Sequence, residues 1–115
     1  MTPEYKIRKA SNNDYYFVLT GEDGREILAS EMFLKKEAVG GGIDAVRMLS
    51  ADDGKYVRKT SNTGRPYFVL TGADNQPVAT GEFYPSKQAM EKGINTVKRI
   101  APQAAVVDET DAPAA

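Results

Sequence analysis

Tyr16–Gly21 reads YFVLTG, and Tyr67–Gly72 reads YFVLTG again. Around the two copies the likeness continues. Arg8-Lys9 and Ser11-Asn12 recur as Arg58-Lys59 and Ser61-Asn62, and Glu31 recurs as Glu82. Ala38 recurs as Ala89, and Gly42-Ile43 with Val46 as Gly93-Ile94 with Val97. Self-similarity at a period of about 50 residues marks a tandem duplication and sets the architecture before any single side chain is weighed. One such repeat alone buries a marginal core, so the two copies are expected to share one.

Working outward from YFVLTG, the aromatic and β-branched content reads as a strand. A strand-like run precedes each copy, Tyr5–Ala10 and Tyr56–Thr60. The intervening turn reads Ser11–Asp14 in the first copy and Ser61–Pro66 in the second; the second is expected to be one residue longer, at a place where a hairpin repeat tolerates insertion. Asp23-Gly24 and Asp74-Asn75 supply a second tight turn. A third strand follows, Glu26–Ser30 or Pro77–Thr80, with Pro77 at a strand end or edge because proline cannot donate to the ladder. The period then changes from two to 3.6. Ala89, Met90, Gly93, Ile94, Val97 and Ile100 form one apolar helical face after the N-cap Ser86. Ala38, Val39, Gly42, Ile43, Val46 and Leu49 repeat it, with Lys35 in place of the capping serine. Gly42 and Gly93 read as close-packing positions, whereas Gly40 and Gly41 only weaken their helix. Tyr56–Thr60 closes repeat one while opening repeat two, and Ala104–Asp108 is a short last strand. The domain is therefore 1–109, with repeats 4–54 and 55–109 and a disordered tail at 110–115.

Composition narrows the chemistry. The chain has 115 residues, 41% hydrophobic and 27% charged, ordinary values for a globular protein. It has no Cys and no His, so thiolate chemistry, the commonest general base and the commonest metal ligand are all missing. No cofactor, no metal and no enzymatic activity are expected. No apolar run approaches the roughly 20 residues of a membrane span, and no signal peptide is visible, so a cytoplasmic protein without membrane contact is expected. The net charge is −1; without Asp108, Glu109 and Asp111, 15 basic residues face 13 acidic ones, a net of +2. Such a near-neutral body argues against avid, non-specific nucleic-acid binding.

Two meander-plus-helix units, the Y-F-x-L strand, the Ser86-Lys87 helix start and the repeated G-I-x-x-V helix together resemble the YegP family of small bacterial proteins, known as tandem repeats or as dimers of a single repeat. The resemblance covers nearly the whole chain apart from the tail. It implies an α+β fold in which two repeats build one antiparallel sheet, with two helices on one face and terminal strands exchanged between repeats. It implies no activity, because the family has no established biochemical function.

Several constellations reduce to structure. Gly40-Gly41-Gly42 is followed by Ile43-Asp44 and lacks the Gly-Lys-Ser/Thr of a phosphate loop. Glu31 and Glu82 are symmetric by duplication, and Asp52-Asp53-Gly54 lacks the alternating ligands of a calcium loop. The remaining candidate is the sheet face away from the helices. Alternation sends Phe17, Leu19, Phe68 and Leu70 to the helices, with Ile7 and Val57 expected to join them. The opposite face is then expected to carry Arg8, Tyr16, Val18, Tyr56, Arg58, Tyr67 and Val69. Tyrosine and arginine on an open sheet suit a protein partner or self-association, since both are enriched at binding hot spots. Single-stranded nucleic acid is the second expectation, through stacking and phosphate pairing. A small enzyme using Tyr, Lys and carboxylates is the third. A monomer is expected.

Overall fold

The computed structural model describes residues 2–110. Within them the chain forms β1 (Glu4–Lys9), β2 (Tyr15–Thr20), β3 (Glu26–Ser30), α1 (Lys36–Leu49), β4 (Tyr56–Thr60), β5 (Pro66–Thr71), β6 (Pro77–Gly81), α2 (Lys87–Ile100) and β7 (Ala105–Asp108). The strands make one sheet in the order β4-β5-β6-β3-β2-β1-β7. Each repeat contributes a three-stranded meander, and the two meanders join antiparallel through β3 and β6, with Ala29 opposite Thr80. The expected α+β architecture is present, with β7 exchanged onto the other repeat. However, β4 pairs only with β5, so Tyr56–Thr60 opens repeat two and does not close repeat one. One pairing departs from the antiparallel expectation: β7 lies parallel to β1, with Tyr5 opposite Val106. The reason is topological. The chain crosses over the sheet along α2 and re-enters beside the first strand of the other repeat, running in the same direction.

The helices form where the 3.6-residue apolar period predicts. Ser86 has extended backbone and its Oγ accepts the Ala89 amide at 3.1 Å, whereas Lys35 gives α1 no side-chain cap. Val39, Ile43 and Val46 of α1 and Met90, Ile94, Val97 and Ile100 of α2 meet Tyr5, Phe17, Leu19, Tyr56, Phe68 and Leu70 in one cluster. Helix α1 packs on β2 of its own repeat and on β5 and β6 of the other, so the core is shared. The shared glycines allow this approach. A Cβ on Gly42 would come within 2.6 Å of Phe33 Cζ, and one on Gly93 would overlap the Tyr84 hydroxyl.

The first turn of repeat two is not longer than that of repeat one, against the expectation of an added residue. In the first repeat the Ala10 amide bonds the Asp14 carbonyl; in the second the Ser61 amide bonds the Arg65 carbonyl. Asn13 and Gly64 occupy the same left-handed position, with φ of 72° and 83°. The turns are equal in length, and the repeat keeps one offset of 51 residues throughout, that of Tyr16 and Tyr67. The Arg-Lys and Ser-Asn matches, offset by 50, are out of register by one. Asp108 and Glu109 are ordered, and Thr110 donates its amide and hydroxyl to Asp108 Oδ1. The rest of the expected tail, 111–115, lies outside the described residues.

Candidate functional site

Strand register decides which side chains reach the helix-free face. In the first repeat Arg8 stands opposite Tyr16 and Lys6 opposite Val18, so Arg8 lies on that face as expected. In the second, Lys59 stands opposite Tyr67 and Val57 opposite Val69, while Arg58 faces Phe68 and Tyr56 faces Leu70. The expected positions of Tyr56, Arg58 and Val57 are therefore inverted. The cause is the one-residue misalignment, since a slip of one in a strand moves every side chain to the other face. Arg58 occupies the position of Ile7, and Tyr56 that of Tyr5.

Tyr56 belongs to the core, and its hydroxyl donates to the Ser50 carbonyl at 2.7 Å. Tyr5 does the same for Ala101 at 2.7 Å. Each bond satisfies a carbonyl at the end of a helix, and Tyr5 reaches across from repeat one to α2 of repeat two. Burial pushes the Tyr5 hydroxyl up to about 12 and shifts Tyr56 upward as well. Arg58 bridges β4 to α2, its Nε 2.6 Å from Glu91 Oε2 and its Nη2 3.0 Å from Asp53 Oδ1; Lys98 joins Asp53 at 2.8 Å. These cations hold the Glu91 and Asp53 carboxyls below the usual carboxylate range, chiefly through hydrogen bonds from Arg58 to Glu91 and from Lys98 to Asp53.

On the helix-free face Arg8 is already engaged. Its Nη1 lies 2.8 Å from Glu26 Oε2 and its Nε 3.0 Å from Glu109 Oε1, and these hydrogen bonds raise the guanidinium's affinity for its proton. Val18 and Val69 are buried, and Tyr16 and Tyr67 half-buried. The exposed apolar groups are ones the alternation argument passed over. Phe83, 56% exposed, sits edge-on to Tyr67 with ring centres 5.4 Å apart. Met32, 55% exposed, holds the equivalent position in repeat one. The signal was present: Phe33 and Tyr84 pack on core rings, which sends the residue before each to the other side.

A groove of about 590 Å³ between the β2–β3 turn and α2 adjoins this surface, with Phe83 and Glu26 in its lining. Glu22, Arg25, Ile27, Tyr84, Lys92 and Arg99 help line it, and Arg99 Nη2 pairs with Glu22 Oε1 at 2.8 Å. At the symmetry-related place, between the β5–β6 turn and α1, Ala73 and Met48 replace that ion pair, so the groove's charges are not duplicated. Glu31 and Glu82 lie at opposite ends of the β3–β6 pair, bonded through their amides to Val78 and Ile27, and form no carboxylate dyad. Among the described residues no three His, Cys, Asp or Glu cluster to hold a metal, and no helix is long and apolar enough to cross a membrane.

A pseudo-two-fold sheet closed by two helices and an exchanged strand defines a tandem-repeat α+β module. The family described as "Domain of unknown function (DUF1508)" matches residues 10–56 and again 61–108, and the chain belongs to that family. A UPF0339 protein of Acinetobacter baylyi is 38% identical over 110 residues, covering 96% of this chain and 99% of the relative. The UPF0339 protein YegP of Escherichia coli K12 is 34% identical over 106 residues, covering 92% and 96%. The solution structure of E. coli YegP, described as a protein of unknown function, superposes with a TM-score of 0.90 at 33% identity over 97% of each chain. That of a UPF0339 protein from Shewanella oneidensis gives 0.86 at 32% identity, over 96% of this chain and 93% of that one. The relatives are bacterial and of unknown function, as the resemblance implied.

Proposed function

We propose that this chain is a non-catalytic interaction module whose helix-free sheet face takes a protein partner. The observation that carries the reading is Phe83, more than half exposed and held edge-on against Tyr67, with Met32 at the equivalent place beyond Tyr16. Phe83 and Met32 follow the ends of β6 and β3 and border the sheet face. An exposed aromatic ring already held against a strand tyrosine binds at low entropic cost, and aromatic and Met side chains are enriched at interfaces. Non-catalytic use is supported by where the perturbed groups sit. Of the three tyrosines that burial raises, Tyr5 and Tyr56 serve buried helix-end bonds and Tyr84 is stacked on Phe68. Arg8 and Arg58 are held in ion pairs. Nucleic acid is the weaker alternative, because Arg58 stands on the other side of the sheet and two carboxylates occupy Arg8. The module would act as a monomer in the cytoplasm.

The test is affinity capture on wild type and on the double variant Met32→Ser with Phe83→Ser, with and without nuclease. Both residues are exposed, so folding should change by no more than about 0.5 kcal/mol each. A protein retained by wild type after nuclease and lost by the variant, at a cost of about 2 kcal/mol, is the expected result. Retention by both would refute the face, and loss on nuclease treatment would transfer it to nucleic acid.

A further inference from the structure

The internal symmetry leaves one strand position empty. Beside β1 lies β7, parallel, with Glu4 opposite Ala105 and Ile7 opposite Asp108. Beside β4, the counterpart of β1, no strand lies among the described residues, and β4 is an edge of the sheet. The reason is the linker. The segment after α1 passes through a single 3-10 turn, Asp53–Lys55, straight into β4, leaving no chain to lie alongside it.

The grip on β7 is chemical as well as backbone-mediated. Asp108 pairs with Lys36 at 2.6 Å, and Glu109 with Arg8 at 3.0 Å and Lys6 at 3.9 Å; the Glu109 amide bonds the Ile7 carbonyl at 2.9 Å. One repeat onward, Lys87 stands where Lys36 stands and Lys59 where Arg8 stands. Both lysines are exposed, and neither has an ion pair among the described residues. They line the same groove, about 260 Å³, between the edge strand and the start of α2. The equivalent cations therefore flank an edge with no strand beside it, on the two sides from which their counterparts hold an acidic strand. Arg58, paired with Glu91 in the same groove, makes one long contact of 3.5 Å from Nη1 to the Tyr56 carbonyl, which an added strand would displace.

We propose that the β4 edge is a strand-addition site for an extended protein segment in which two β-branched residues precede two acidic ones, docked parallel to β4 as β7 is docked on β1. Main-chain bonds would supply the affinity, and Lys87 and Lys59 would read the acidic pair from the helix side and the free side of the sheet. The site is separate from the Met32/Phe83 surface and does not rest on it. A second copy's β7 is the less suited occupant, because it is already held by Lys36 and Arg8 on its own β1.

The test is an amide chemical-shift titration of the full chain with the synthetic peptide Ala-Ala-Val-Val-Asp-Glu-Thr, the sequence of residues 104–110. The control peptide carries Asn-Gln for Asp-Glu. Shifts centred on Val57–Thr60 and Lys87 are expected, with binding weakened at least tenfold in the control peptide and in Lys59→Glu with Lys87→Glu. The milder pair Lys59→Ala with Lys87→Ala should give an intermediate loss, and each variant's unperturbed spectrum checks its fold. Shifts confined to β1 and β7 would mean that the peptide only displaces the chain's own strand, and would overturn the proposal. So would no shifts at millimolar peptide, equal binding by the charge-reversed variant, or dimers across β4 in the absence of peptide. Shifts on the Tyr67 and Phe83 surface alone would likewise overturn it without affecting the reading of that surface.

Discussion

Truncating Phe68 to alanine tests whether the two repeats are one thermodynamic unit. Phe68 is fully buried, edge-on to Tyr56 at 5.7 Å and stacked on Tyr84 at 6.3 Å. Its ring also lies against Gly81, where a Cβ would come within 2.7 Å of it. Removing a buried phenylalanine costs about 3–5 kcal/mol, from the lost transfer energy and the cavity left behind. A domain of this size has only about 5–15 kcal/mol in total, so the variant should be marginal. The melting temperature should fall by on the order of 20 °C. Phe68 lies in repeat two, yet α1 packs on β5 and β6 as well as on β2. The loss should therefore reach repeat one. Calorimetry and urea unfolding followed by circular dichroism should each give a single transition, and Phe17→Ala should behave alike. Two transitions, or amides of β1–β3 that remain protected while β5 exchanges freely, would refute a shared core.

The glycines of α1 should divide sharply by environment. Gly40→Ala and Gly41→Ala meet no atom within 4 Å and should each stabilise by up to about 1 kcal/mol in urea titrations, whereas Gly42→Ala must displace Phe33 and should destabilise. A lower melting temperature for Gly40→Ala would refute its assignment to an open helical site. In alkali, Tyr5 is neutral in both folded and unfolded chains below its ordinary value near 10, so its contribution is fully present there. As pH rises from 10 towards about 12 the unfolded chain ionises first, and stability should fall by at most about 1.4 kcal/mol per pH unit for this residue. Denaturation midpoints across that window should flatten in Tyr5→Phe; an unchanged slope would remove Tyr5 from the account.

The sequence by itself determined the duplication, the meander-plus-helix order and the core faces of both helices. These rest on local periods, two for strands and 3.6 for helices, which are printed in the chain wherever one face is buried. It also marked Gly42 and Gly93 as close contacts, because they alone among the helix glycines recur. The placement of Tyr56 and Arg58 turned on alignment: Tyr5 and Tyr56 share the 51-residue offset of the YFVLTG copies, but the Arg-Lys match at 50 hides it. A strand exposes its faces alternately, so an alignment error of one residue reverses both, and the cross-strand register settles it. The direction of β7 was equally hidden. Its pairing with β1 joins residues about 100 positions apart, and the crossover along α2, not any local preference, makes it parallel. That long-range pairing also exposes what no local pattern contains: β1 has a neighbour and its duplicate β4 has none.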